Sequence, residues 1–148
     1  MPFEFLLEGL KKSQKSLGTD KGLAQIGDSI VNLAYSLAKS IVLSRQSSSN
    51  SNLRTGTKVN KTVLSQALKG AEMKHFAKNR ADAHDMADTV EGLVAYVWLR
   101  DKISLTQIVE LLSDQLMRDL NSRLGERDAA TKAFTALLKF IQKDLPDT

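Results

Sequence analysis

The longest apolar stretch of the sequence, residues 21–44, most constrains the fold. It is rich in Ala, Leu, Ile and Val, has no Pro, and is apolar almost all round over residues 26–43. A helix that is apolar on every side has to be covered by other elements. We therefore predict that this segment is a long helix at the centre of the molecule.

The rest of the chain continues with helical periodicity, and no strand pattern occurs in it. These patterns predict an all-α fold of about six or seven helices. A polar, Ser- and Asn-rich stretch at residues 44–56 is predicted to be a flexible loop. Before the central helix we predict a short first helix near residues 3–10 and a break at 16–20, with Thr19 or Asp20 as N-cap. After the loop we predict a helix from Asn60 or Thr62 to Gly70, a helical or basic connection at 74–80, and a helix from Asp82 or Asp85 to Leu99. The last two predicted helices are at 104–124, which stops at Gly125, and at 126–145.

Composition narrows the possible chemistry. With 148 residues the chain is long enough to bury a core, and we expect one domain over 1–148. It has no Cys and only two His, which excludes thiolate chemistry and zinc sites built from thiolates or several His. Any metal would be bound by oxygen, which favours Mg²⁺ or Mn²⁺. We expect no membrane partner, because no apolar stretch approaches the ~20 residues of a bilayer span. We also expect a cytoplasmic location.

The charges are unevenly distributed along the chain. Residues 45–80 have eight basic side chains and one acidic side chain, whereas residues 81–99 have four acidic side chains and neither Lys nor Arg. A basic block can attract a nucleic-acid backbone, and carboxylates beside it can bind metal ions. The simpler interpretation, a solvated basic face followed by an acidic helix start, explains the same pattern.

The simpler interpretation does not explain three carboxylates. Asp28 lies inside the apolar segment directly after Gly27, and Asp88 and Glu91 lie three residues apart in the helix predicted to end at Leu99. Residues three apart are neighbours on a helix surface, where like charges repel unless a cation lies between them. If the two segments pack together, Asp28, Asp88 and Glu91 can form an oxygen-ligand metal site. Otherwise Asp28 is a polar residue at an exposed edge.

Two short motifs surround these acids. Residues 23–29 read Leu-Ala-Gln-Ile-Gly-Asp-Ser, and residues 87–93 read Ala-Asp-Thr-Val-Glu-Gly-Leu. In form, order and separation the pair resembles the two signature motifs of the ribonuclease III endonuclease domain, over roughly residues 20–100. We see no C-terminal double-stranded RNA-binding domain, so the chain resembles a stand-alone form, similar either to the shorter mini-ribonuclease III group or to an archaeal type of ribonuclease III. By this resemblance, residues 20–100 would be an endonuclease core and residues 101–148 a helical extension.

The resemblance implies a reaction and partners. Asp28 and Glu91 match the family's catalytic acids, and Asp88 matches a further metal-binding acid. It implies a homodimer that cleaves double-stranded or structured RNA with Mg²⁺ or Mn²⁺, through attack of a metal-activated water on a phosphodiester, leaving 5′-phosphate and 3′-hydroxyl ends. The candidate RNA-binding residues of the basic block are Lys58, Lys61, Lys69, Lys74, Lys78 and Arg80.

The chain departs from the bacterial enzymes at two positions. It has Lys21 and Ala24 where those enzymes have Glu, so a fourth acid would have to come from Glu72 or Asp85. Two alternatives therefore stay open. The chain could be a helical RNA-binding or ribosome-associated protein that kept the fold without full activity, or an unrelated helical interaction module.

Overall fold

The computed structural model describes residues 2–47, 51–119 and 125–148. The regular structure of these residues is entirely helical, which confirms the all-α prediction, and they form six α-helices. The helices are α1 (Gln14–Gly18), α2 (Lys21–Gln46), α3 (Lys61–Gly70), α4 (Ala83–Leu99), α5 (Leu105–Asp119) and α6 (Glu126–Ile141). Short 3-10 turns occur at Glu4–Leu7, Lys74–Phe76 and Gln142–Asp144.

Helix α4 is the most enclosed element. It is buried along most of its length and packs against α1, α2, α3 and α6. Helix α2 packs against α4 and α5 through a face that includes Ala34 and Ala38, while Leu33 and Leu37 on its outer face are 50% and 41% exposed. The prediction that α2 is covered on all sides is therefore wrong. Its inward face combines small residues such as Ala34 and Ala38 with larger ones such as Ile30 and Tyr35, and two further large residues point outward.

Helix α2 also meets the length and composition of a membrane span, with a mean hydropathy of 1.2 over its most apolar window. By length and composition, the prediction that no apolar stretch approaches a bilayer span is therefore wrong. Core helices of globular proteins meet the same criterion, and α2 packs against α4 and α5, with 39% of that window buried.

Side-chain caps explain where several helices begin. The Asp20 carboxylate accepts a hydrogen bond from the backbone N–H of Leu23 at 2.8 Å and caps α2, as predicted. Asn60 caps α3 in the same way. Asp82 and Asp85 form a reciprocal capping box at the start of α4.

Some predicted boundaries are wrong. The predicted break at residues 16–20 is partly the short helix α1, which Ser13 caps. The first predicted helix is a single 3-10 turn. Gly125 is the N-cap of α6 and has an extended backbone, and the predicted helix end at 120–124 lies outside the described residues. Helix α6 ends at Ile141, before a 3-10 turn.

The predicted flexible loop at 44–56 also differs from the structure. Helix α2 continues to Gln46, and residues 51–60 run without helix along its surface. Side chains of α2 hydrogen-bond to the backbone of this segment at four positions. Residues 48–50 lie outside the described residues. Polar composition predicted the non-helical conformation, but it could not show that the segment is attached to a helix.

Candidate functional site

An open pocket of about 300 Å³ lies where the start of α2 meets α3 and the first half of α4. All three predicted acids contribute to its wall. The lining residues are Lys21, Ala24, Gln25, Asp28, Lys61, His84, Asp88 and Glu91. We call Asp28 and Glu91 the carboxylate half of the pocket, and Asp88 with Lys21, Lys61 and His84 the lysine half.

Gly27 allows α2 and α4 to approach closely beneath the carboxylate half. A Cβ atom at this position would collide with the backbone carbonyl of Glu91. Glycine inside a helix costs up to about 1 kcal/mol relative to alanine. Here that cost is offset by a backbone contact that sets Asp28 beside Glu91.

Helix α1 fixes the other side of α4. The Thr89 hydroxyl donates a 2.7 Å hydrogen bond to the carbonyl of Gly18, and Gly92 lies close to the carbonyl of Leu17. Gly18 itself has no room for a side chain, because a Cβ atom would meet the carbonyl of Phe76. The position of Glu91 is therefore set by contacts of α4 with both α2 and α1.

Glu91 is 3% exposed, and its pKa is raised to about 8, with burial as the largest cause. The neighbouring Asp28 carboxylate contributes to the same rise through a hydrogen bond and its negative charge. That same hydrogen bond is the main cause of the lowered pKa of Asp28. The opposite directions of the two pKa shifts favour one proton shared by the two carboxyl groups and held on Glu91.

Other polar groups surround Asp28. The side-chain amide of Asn32 donates a hydrogen bond of 3.1 Å to Oδ1 of Asp28. The positive charges of Lys58 and Lys61 also lower the pKa of Asp28, by smaller amounts. These contacts favour the ionised form of Asp28.

The lysine half is organised around Asp88. Nζ of Lys21 lies 3.2 Å from Oδ2 of Asp88, Nζ of Lys61 lies 4.0 Å from Oδ1, and Nε2 of His84 lies 3.6 Å from Oδ2. The Lys21 side chain is largely exposed, so its ion pair contributes little to stability. The position of Lys21 nevertheless shows that basic groups surround Asp88 within the pocket.

The carboxylate half has the chemistry expected of a site for one hard cation. Two adjacent carboxyl groups that retain a proton between them can exchange that proton for a divalent ion. Across the described ranges, no three acidic or His side chains come together as a metal-binding group. The predicted three-acid site over Asp28, Asp88 and Glu91 therefore stays a prediction, with Asp28 and Glu91 as its adjacent pair.

Neither candidate for a fourth acid lines the pocket. Glu72 is exposed in the turn after α3, where its φ of 59° is left-handed. Asp85 accepts a hydrogen bond from the backbone of Asp82 in the capping box and pairs with Lys78 at 3.4 Å. The presence of an acidic residue at position 85 is thus explained by its role in capping the start of α4.

The candidate RNA-binding residues lie at different places. Lys61 lines the pocket, Lys58 precedes it on the segment before α3, and Lys78 pairs with Asp85 beside it. The other three candidates are exposed: Lys69 near the end of α3, Lys74 in the following 3-10 turn, and Arg80 before α4. Lys21 and Asn32 were not among the predicted site residues. The only sequence signal for Asn32 was its position four residues after Asp28. The only signal for Lys21 was that a basic residue stands where the bacterial enzymes of the family have Glu.

Comparison with known proteins agrees with the two motifs. A family model described as Ribonuclease III matches residues 21–147, which include the pocket and all helices from α2 to α6. No curated protein matches the chain. The match covers most of the sequence and excludes the interpretation as an unrelated helical module. The chain belongs to the ribonuclease III family.

Proposed function

We propose that the protein is a metal-dependent endoribonuclease that cleaves double-stranded or structured RNA. The observation that carries this proposal is the buried Glu91 carboxyl beside Asp28 in an open pocket that also contains Lys21 and Lys61. Burying a carboxyl group beside a second carboxylate costs free energy. A metal-binding role in a ribonuclease III family protein accounts for that cost.

Asp28 and Glu91 are the residues that would hold Mg²⁺ or Mn²⁺. A cation bound there would lower the pKa of a water molecule and neutralise charge on the phosphodiester. Glu91 would give up its proton on becoming a ligand, so metal binding would release a proton at neutral pH. Asp88 can contribute as a third acid only by weakening its pairing with Lys21 and Lys61.

The lysine half contributes charge for the substrate. Double-stranded RNA is recognised mainly by its shape, through phosphate and 2′-hydroxyl contacts. Lys21 and Lys61 are partly or largely exposed at the pocket, where they can contact phosphates next to the bond to be cleaved. We propose that the other basic residues extend this contact along the RNA: Lys58, Lys69, Lys74, Lys78 and Arg80.

We also propose that the enzyme acts as a homodimer in the cytoplasm. Leu33 and Leu37 are separated by one turn on the outer face of α2, and both are substantially exposed. Large exposed apolar residues next to each other favour association. A second copy that covers them would place two pockets on one assembly.

The test is a cleavage assay on a uniform RNA duplex with Mg²⁺, Mn²⁺ or EDTA. We expect the wild-type protein to cleave with either metal and to lose cleavage in EDTA. Glu91→Gln keeps the shape of the protonated side chain and should be inactive, whereas the matched control Glu72→Gln, at an exposed acid outside the pocket, should be fully active. Metal-independent cleavage, or full activity of Glu91→Gln, would contradict the proposal.

A second candidate function is supported by the lysine half itself. The pairing of Lys21 with Asp88 places a basic group beside an acid that the family motif assigns to metal binding. The protein could in that case bind structured RNA without cleaving it. Tight duplex binding by the wild type, with no cleavage in Mg²⁺ or Mn²⁺, would establish this second function instead.

A further inference from the structure

Residues 53–59 are attached to α2 by a regular ladder of side-chain hydrogen bonds. Three serines of α2 each accept a backbone N–H bond from this segment and donate their hydroxyl to the carbonyl of the same residue. The pairs are Ser44 with Leu53, Ser40 with Thr55, and Ser36 with Thr57, with N···O distances of 2.8, 2.9 and 2.9 Å and O···O distances of 3.1 Å.

The spacing of the ladder has a simple geometric basis. The helix positions are four residues apart, and the segment positions are two residues apart. Four helical residues rise by about 6 Å and two extended residues by roughly 6.6 Å. The two repeats therefore stay in register over several steps, and the segment keeps a defined position relative to the pocket.

The fourth step of the ladder is different. The next helix position is Asn32, whose Oδ1 accepts the backbone N–H of Val59 at 2.8 Å. This bond fixes the orientation of the amide, so that its Nδ2 points toward Asp28 and donates a hydrogen bond of 3.1 Å to Oδ1. Asn32 thus joins the ladder to the carboxylate half of the pocket.

We propose that Asn32 is a positioning residue, which the ladder orients so that its amide holds the Asp28 carboxylate in a metal-binding position. This inference rests on the proposed function, because it assigns Asp28 to a metal site. Groups that orient a metal ligand typically change metal affinity by ten- to a hundredfold when they are removed. A serine at position 32 would provide the ladder chemistry without reaching Asp28.

The experiment compares Asn32→Ser with Ser40→Ala. Asn32→Ser converts the fourth step into the chemistry of the other three steps and removes the amide that contacts Asp28. Ser40→Ala removes one step of the ladder and leaves Asn32 unchanged. Three quantities are measured on each full-length protein: the melting temperature in EDTA, the Mn²⁺ dissociation constant by calorimetry, and kcat and KM on an RNA duplex.

We expect Asn32→Ser to melt close to the wild type and to bind Mn²⁺ roughly ten- to a hundredfold more weakly, with a lower kcat and a nearly unchanged KM. Ser40→Ala should melt at a lower temperature and bind Mn²⁺ within about twofold of the wild type. Unchanged Mn²⁺ affinity in Asn32→Ser, an equal loss in both variants, or a wild type that binds no Mn²⁺ would overturn the inference. A wild type that binds Mn²⁺ without cleaving RNA would overturn only the proposed cleavage.

Discussion

Glu91 and Asp88 belong to different halves of the pocket and have opposite electrostatic surroundings, although they lie only three residues apart on α4. Glu91 is 3% exposed, adjoins another carboxyl group and has a pKa raised to about 8. Asp88 is more exposed and lies near Lys21, Lys61 and His84. Two acids of one helix therefore have different surroundings: Glu91 lies beside another carboxyl group, and Asp88 lies beside basic side chains.

The largest expected difference between the halves is in catalysis. Glu91→Gln removes a ligand of the proposed ion, and losing several kcal/mol of transition-state stabilisation corresponds to a decrease in kcat of roughly 10³-fold or more. Asp88→Asn removes the partner of two lysines and should lower kcat by only about ten- to a hundredfold. Single-turnover cleavage of a duplex measures both. Equal losses would show that the two acids belong to one metal site.

The halves should also differ in their response to pH. The pKa of Glu91 is about 8 in the folded protein, against an ordinary value of 4.5. The folded state therefore holds this proton more tightly than the unfolded state, and the stabilisation is complete below pH 4.5. It is lost as the pH rises from 4.5 through 8.

Denaturant unfolding in EDTA measures this effect. Between pH 5 and pH 8.5 the unfolding free energy of the wild type should fall by roughly 3 to 4 kcal/mol relative to that of Glu91→Gln, which cannot ionise. Asp88→Asn should retain the pH dependence of the wild type. A constant difference between the wild type and Glu91→Gln across this range would contradict the assignment of the buried proton.

The geometry of the carboxylate half depends on Gly27. Gly27→Ala places a methyl group against the backbone of Glu91, and overpacking of this kind should destabilise the protein by about 2 to 3 kcal/mol. Gly22→Ala is the matched control, because it lies in the same helix with only ordinary contact to the Asp20 side chain, and it should change stability by less than about 1 kcal/mol. Similar unfolding free energies for both variants would mean that α2 and α4 can separate at little cost.

The smallest expected effect concerns the lysine half. Lys21→Met should change the unfolding free energy by less than about 1 kcal/mol, because the Lys21 side chain is 74% exposed. If Lys21 contacts one RNA phosphate, the slope of log affinity against log salt should decrease by roughly 0.8. Lys143→Met, distant in sequence and outside the pocket lining, is the control. An unchanged slope for Lys21→Met would remove Lys21 from the RNA contact.

Much of the helical framework could be predicted from sequence because it depends on local signals. The apolar periodicity, the cap at Asp20 and the acidic start of α4 each act within a few residues. The attachment of residues 51–60 could not be predicted in this way. Its serines are ordinary helix residues until a segment with the matching repeat lies beside them.

The candidate site was predictable to a similar extent. The two motifs identified Asp28, Asp88 and Glu91, and all three line one pocket. The division of these acids into two halves depends on burial and on side chains from other elements. Lys21 and Lys61 reach Asp88 from α2 and α3, and no pattern within α4 contains that information.

The most direct test of the account is a crystal structure of the protein grown with Mn²⁺, with data collected at a wavelength where manganese scatters anomalously. The account predicts a strong anomalous peak within bonding distance, about 2.2 Å, of carboxylate oxygens of both Asp28 and Glu91. A peak bound only to Asp88, or no peak in the pocket at a Mn²⁺ concentration that supports cleavage, would contradict it.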